Sequence, residues 1–165
     1  MQSNQTRALA LGGVLAAVAV VIMCLGGMIP IATYVCPMLC AVTQFLVLRF
    51  CKKRIAWSWF IVVSVLSLLL GPDKEAVIVF IAIGYYPLIK GSLERSRLSI
   101  LFKFLFFNCA IFLAYGVMIY LMGMKELAQE NMELGVLGFV LILLMGNATF
   151  FLLDKLLGMI AGKLR

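Results

Sequence analysis

The sequence predicts an all-α integral membrane protein: six transmembrane helices in one compact bundle, residues 1–165 forming a single domain, with the N and C termini cytoplasmic. Three observations predict it. Hydrophobic types make up 65% of the chain and charged types 13%, against roughly 25% charged in an ordinary soluble domain. A soluble chain of this size cannot hide so much apolar surface, whereas lipid can cover it. The apolar residues fall into six runs close to the length a helix needs to cross the hydrocarbon core, about 17–25 residues. The connections between these runs alternate between basic and acidic.

The first run predicts a helix over about 8–29, ending before Pro30. It is longer than the 7–15 residues or so of a signal-peptide core, and further apolar runs follow it, so it reads as a retained span. The second helix is expected over about 31–48, stopping at Arg49, and the third over about 55–71, stopping at Gly71-Pro72. Trp57 and Trp59 open the third helix just past a basic cluster, where an interfacial aromatic belt belongs. The fourth, about 75–90, is short for a span and carries Gly84-Tyr85-Tyr86-Pro87 near its end, where Pro87 predicts a kink. The fifth covers about 100–122 and the sixth about 135–153. The tail 154–165 places Leu156, Leu157, Ile160 and Leu164 on one helical face. It is read either as an interfacial helix or as an extension of the sixth span.

Charge placement sets the orientation. Arg7, the group Arg49, Lys52, Lys53 and Arg54, the group Lys90, Arg95, Arg97 and Lys103, and Lys155, Lys163 and Arg165 put twelve of the fourteen basic residues on one side. The opposite side has Lys74 and Lys125, with Asp73, Glu75, Glu126, Glu130 and Glu133, five of the seven acids. The positive-inside rule assigns the basic side to the cytoplasm of a multi-pass plasma-membrane protein. The net charge of +7 thus marks topology and an affinity for anionic membrane lipids, not nucleic acid.

Histidine is absent, which removes the commonest general base and the commonest metal ligand. No nucleophile–base pair, phosphate-binding loop or dinucleotide fingerprint is present, so no enzyme and no resident cofactor or metal is expected. Cys36 and Cys40 lie one turn apart, a spacing that could suit Cu(I) together with Met28 and Met38, but with no histidine beside them they are read as apolar filling. Ala8, Gly12 and Ala16 recur every fourth residue, with Gly13 and Ala17 as a second row beside them. Small residues at this spacing let helix backbones approach closely in lipid, either within the chain or against a second membrane protein. Gly71-Pro72-Asp73-Lys74-Glu75 breaks the backbone at the outward end and gathers charges of both signs. It is read as a solvated hairpin or as one wall of a site for a zwitterionic or polar solute. The 125–133 loop is acidic and reads as solvated or as a lid. Gln44, Asn108 and Asn147 lie inside spans, where amides normally bond to neighbouring helices.

The opening Arg7-Ala8-Leu9-Ala10-Leu11-Gly12-Gly13-Val14-Leu15-Ala16-Ala17, in a six-span chain of this length, resembles the substrate-binding S component of energy-coupling factor transporters. Pro72-x-Lys74-Glu75 and Gly84-Tyr85-Tyr86-Pro87 are similar to uncharacterised clostridial-type members. The resemblance implies capture of a vitamin-like or other small polar solute near the outer face. It further implies lateral docking on a transmembrane T component, and import driven by two cytoplasmic ATPases that use ATP. Carried over, it assigns docking to Ala8, Gly12 and Ala16 and solute binding to Tyr34, Asp73, Lys74 and Glu75, with Asn147 deeper. Residues diagnostic of riboflavin, thiamine, biotin or folate recognition are not found, and the missing histidines count against nickel and cobalt. The alternative is a membrane scaffold for envelope or cell-shape assembly, similar to the rod-shape-determining membrane protein, which has comparable length and span count.

Overall fold

The computed structural model describes residues 2–26, 32–94, 99–121 and 136–163. Every regular element among them is helical: α1 (Gln2–Gly26), α2 (Ala32–Phe50), α3 (Lys53–Leu70), α4 (Lys74–Gly84), α5 (Tyr86–Leu93), α6 (Ser99–Gly116), a π-helical turn (Val117–Leu121) and α7 (Val136–Lys163). Among the described residues, six stretches are long and apolar enough to cross a membrane: Thr6–Gly26, Ala32–Phe50, Lys53–Leu70, Lys74–Leu93, Ile100–Ile119 and Val140–Lys163. Large apolar side chains cover their exposed faces, among them Leu69 at 73% and Ile100 at 83% exposure. Apolar surface this extensive is the pattern of a multi-pass membrane protein.

The chain divides into two compact units, Met1–Ser92 and Leu93–Arg165. In the first unit α2 packs against α4, α1 and α3, and α1 packs against α3. Small residues set the spacing. Ala19, Cys40, Ala41, Ala56 and Ala76 are buried beside the larger Met23, Val47, Val63, Val77 and Phe80. Gly12 meets Ile55 Cγ2 at 3.6 Å from where its Cβ would stand. Cys40 donates its thiol to the Ala19 carbonyl at 3.4 Å, and Cys51 donates to the Ala8 carbonyl at 3.3 Å. Gln44, fully buried, donates to the Ala56 carbonyl at 2.8 Å and so ties α2 to α3. In the second unit α6 packs on α7. The Phe107 and Phe150 rings stack with centroids 4.0 Å apart, and Ile111 lies over Gly146, where a Cβ would stand 2.5 Å from its Cδ1.

Local chemistry explains the breaks. Pro37 lies inside α2, where it has no amide to give the Thr33 carbonyl. After α3, Pro72 drives Gly71 out of the helical region to φ −68°, ψ 128°. The Gly71 amide donates to Ser67 O at 2.7 Å, and a side chain at Gly71 would put its Cβ 2.5 Å from that same oxygen. The joint therefore needs glycine for close approach. Asp73 then starts α4, accepting from the Ala76 amide at 3.1 Å. The fourth predicted helix is two pieces, with Tyr85 between α4 and α5. Pro87 lacks the amide that Ile83 O would accept, but Tyr85 stays near helical at φ −80°, ψ −11°, so Lys74–Leu93 runs as one span. The Phe60 ring packs against Phe80, Tyr85 and Trp57 at this break. It can do so because Gly84 has no Cβ, which would stand 2.7 Å from Phe80 and 3.0 Å from Phe60.

The expected tail after residue 153 is continuous with the last span, α7 running to Lys163. Leu153 and Leu157 are fully buried on one face across that point. The acidic 125–133 loop, Met28, Pro30, Arg95, Arg97 and the outermost ends of several predicted helices lie outside the described residues.

Candidate functional site

Tyr34, Asp73, Lys74 and Glu75 come together at one end of the first unit, where α2 begins, α3 ends and α4 begins. Thr33 Oγ1 donates to Asp73 Oδ2 at 2.8 Å, and Tyr34 OH donates to Glu75 Oε1 at 3.4 Å. Two adjacent hydroxyls of α2 thus meet two carboxylates of the α4 start. All four side chains belong to half-buried residues. Lys74 points elsewhere. Its ammonium donates to Leu68 O at 2.6 Å and Gly71 O at 2.8 Å, closing the C-terminal end of α3. A cation there complements the negative end of the helix dipole, as Asp73 and Glu75 complement the positive end of α4. The charges that the sequence gathers at 73–75 are therefore sorted: the carboxylates toward α2, the ammonium toward α3.

Asn147 belongs to the second unit, where it pairs reciprocally with Asn108. Asn147 Nδ2 donates to Asn108 Oδ1 at 3.1 Å, and Asn108 Nδ2 donates to Asn147 Oδ1 at 3.4 Å. Their remaining N–H groups donate to Leu143 O and Phe104 O, each at 2.8 Å. Both amide nitrogens are saturated, so Asn147 acts as a helix-to-helix clamp in this structure.

The small-residue rows of α1 face different ways. Ala8 and Ala16 pack on the core of the first unit, and Gly12 is buried between them. Gly13 and Ala17 are exposed, and Gly13 has no atom within 4 Å of its would-be Cβ. The row Ala8, Gly12, Ala16 thus serves the chain's own packing, and the row beside it is the open one.

Sequence reasoning missed two groups. Thr33 needed only its place next to Tyr34 to be suspected. The other is an ionic cluster in the second unit: Lys103 on α6, its side chain 12% exposed, donates to Glu94 at 3.2 Å and to both oxygens of Asp154 at 3.2 and 3.3 Å. Asp154 reads in sequence as the polar end of a span, yet it lies inside α7. The opposite charges of Lys103 and Asp154 on neighbouring helices were the available signal. Cys36 and Cys40 lie in the core, and among the described residues no three Cys, Asp or Glu stand together in a metal-holding group. Comparison with protein-family models, curated proteins and solved structures gives no match to this chain.

Proposed function

We propose that the chain is the solute-binding subunit of an energy-coupling-factor-type importer, taking a small polar, vitamin-like solute at the end that carries Tyr34, Asp73 and Glu75. The single observation that supports this best is the meeting of Thr33 and Tyr34 with Asp73 and Glu75 across two helix ends, the starts of α2 and α4. Hydroxyls and carboxylates on a rigid frame are what orient a polar solute in an otherwise apolar molecule. In this proposal the Asp73 end faces outward and the basic α2–α3 turn faces the cytoplasm. A transmembrane T component docks laterally and two ATPases supply the energy from ATP. Because Gly12 is buried, a docking helix would meet Gly13 and Ala17 of α1 in preference to Ala8, Gly12 and Ala16.

Native mass spectrometry of gently purified protein, with and without co-expressed T component and ATPases, tests the proposal. The expected result is a retained small molecule in the wild type that is lost in Tyr34→Phe and Glu75→Gln. Gly13→Leu is expected to keep the solute and lose the partner complex. One observation favours the scaffold alternative: Lys74 and one oxygen of Asp73 are already engaged at helix ends, which a purely structural hairpin also requires. An empty protein that ignores the transport subunits and captures envelope-assembly proteins would establish the scaffold and overturn the importer.

A further inference from the structure

We propose that the α2–α3 turn, together with the first turns of α1, is a binding surface for the headgroups of anionic phospholipids. The inference stands independently of whether the chain carries a solute.

The carboxylates of the first unit lie at one end of α3, with Lys74 between them turned onto Leu68 O and Gly71 O, and the basic turn lies at the other. The unit's only carboxylates are Asp73 and Glu75, at the far end of α3 from Lys52, Lys53 and Arg54. An 18-residue helix puts the two ends about 26 Å apart, several times the screening length of about 8 Å at physiological salt. Lys52, Lys53 and Arg54 are exposed and make no ion pair with any described residue. Arg7 joins them from α1, because the Cys51 thiol donates to Ala8 O at 3.3 Å and so fixes the start of α1 beside the turn. Arg7 is also exposed and makes no ion pair with a described residue. Four cations thus crowd one small surface with no carboxylate of their own unit within reach, and an anion from outside relieves their mutual repulsion.

The surrounding surface identifies that anion. Phe50 is 59% exposed and Trp57 38% exposed on either side of the cations. Aromatic rings beside a soluble anion would sit in water. Beside a lipid phosphate they lie at the boundary where headgroups give way to hydrocarbon, which is where such rings are stable. The α3 length nearly matches the hydrocarbon thickness of about 30 Å, so a membrane that covers the exposed flank of α3 brings its phosphates level with Lys52, Lys53 and Arg54. Charge and apolar area therefore fit one molecule, a phospholipid with net negative charge.

The test uses the full chain purified in detergent, where insertion topology plays no part. Retention and thermal stabilisation are measured with phosphatidylglycerol, with phosphatidylcholine, and with glycerol 3-phosphate alone. Phosphatidylglycerol is expected to be retained and to raise the melting temperature, and phosphatidylcholine is not. The Lys52→Gln/Lys53→Gln/Arg54→Gln variant is expected to lose retention by on the order of a hundredfold, at about fivefold per cation. Lys52→Arg/Lys53→Arg keeps the charge and is expected to keep the lipid. Should the neutral variant fail to fold, a salt titration of the wild type decides, since retention must fall as salt rises. Equal retention of both lipids, unchanged retention in the neutral variant, or retention insensitive to salt would overturn the proposal. Full stabilisation by glycerol 3-phosphate would overturn it too, because the surface would then be a free-phosphate site.

Discussion

The Asn108–Asn147 pair makes two incompatible expectations measurable. If Asn147 works as a clamp between α6 and α7, replacing either asparagine by alanine removes the same two interhelical hydrogen bonds, of 3.1 and 3.4 Å. The bonds to Phe104 O and Leu143 O are intrahelical and cancel in a double-mutant cycle. Hydrogen bonds between membrane helices average about 0.6 kcal/mol each, so a coupling energy of about 1 kcal/mol is expected, roughly a fivefold change in the unfolding equilibrium. The four proteins of the cycle would be unfolded in mixed micelles and followed by far-ultraviolet circular dichroism. Tryptophan emission would miss the event, because Trp57 and Trp59 both lie in the first unit. A coupling below about 0.3 kcal/mol, within the usual error of additivity, would refute the clamp. If Asn147→Ala also cost solute retention while Asn108→Ala did not, Asn147 would return to the solute site that the family resemblance implies for it.

Three further outcomes follow from the packing. Gly84→Ala drives a methyl group to within 2.7 Å of Phe80 and 3.0 Å of Phe60; it is expected to destabilise the first unit by about 1–3 kcal/mol, with Phe60→Leu restoring part of the loss in the same unfolding assay. Ser67 is fully buried with no partner for its hydroxyl among the described residues; Ser67→Ala is expected to raise stability by about 1 kcal/mol, and a lowered melting temperature would show that the hydroxyl is bonded after all. Burial pushes the Cys51 thiol above its ordinary value of 9.0, so the folded state favours the protonated form. That contribution is present below about pH 9 and is lost as pH rises through the folded value. Stability between pH 7 and 10 should therefore fall less steeply in Cys51→Ala than in the wild type, and parallel curves would exclude the effect.

Much of this was readable from residue types, and the failures have physical causes. Gly71-Pro72-Asp73 announces a helix end, a break and a cap in order, and each acts so in the structure. The expected six apolar spans correspond to the six membrane-length helices, with ends shifted by a few residues except in the last, which runs ten residues further, to Lys163. The interruption at Tyr85 was less readable, because a proline near a helix end kinks or breaks the helix depending on the packing around Phe60. The polar pair Asp154-Lys155 looks like a terminus, yet α7 continues because Lys103 receives Asp154 and Leu157 keeps the apolar face buried. The two small-residue rows of α1 differ only by a rotation of about 100°. Periodicity gives the rows but not which one faces inward, and that was set by Ile55 and Cys51. The proximity of Tyr34 to Asp73 and Glu75 follows from antiparallel spans; the outward turn of Lys74 onto carbonyl oxygens of α3 does not.

The proline within α2 has a consequence for how the molecule loosens. With no amide at Pro37, the Thr33 carbonyl loses one rung of its own ladder, while the Thr33 hydroxyl is fastened to Asp73 on another helix. The opening turn of α2 therefore belongs mechanically to α4 more than to the rest of α2. In hydrogen–deuterium exchange, the amides just past Pro37 and those of the α4 first turn should lose protection together, as one cooperative element that unlatches ahead of the α2 interior.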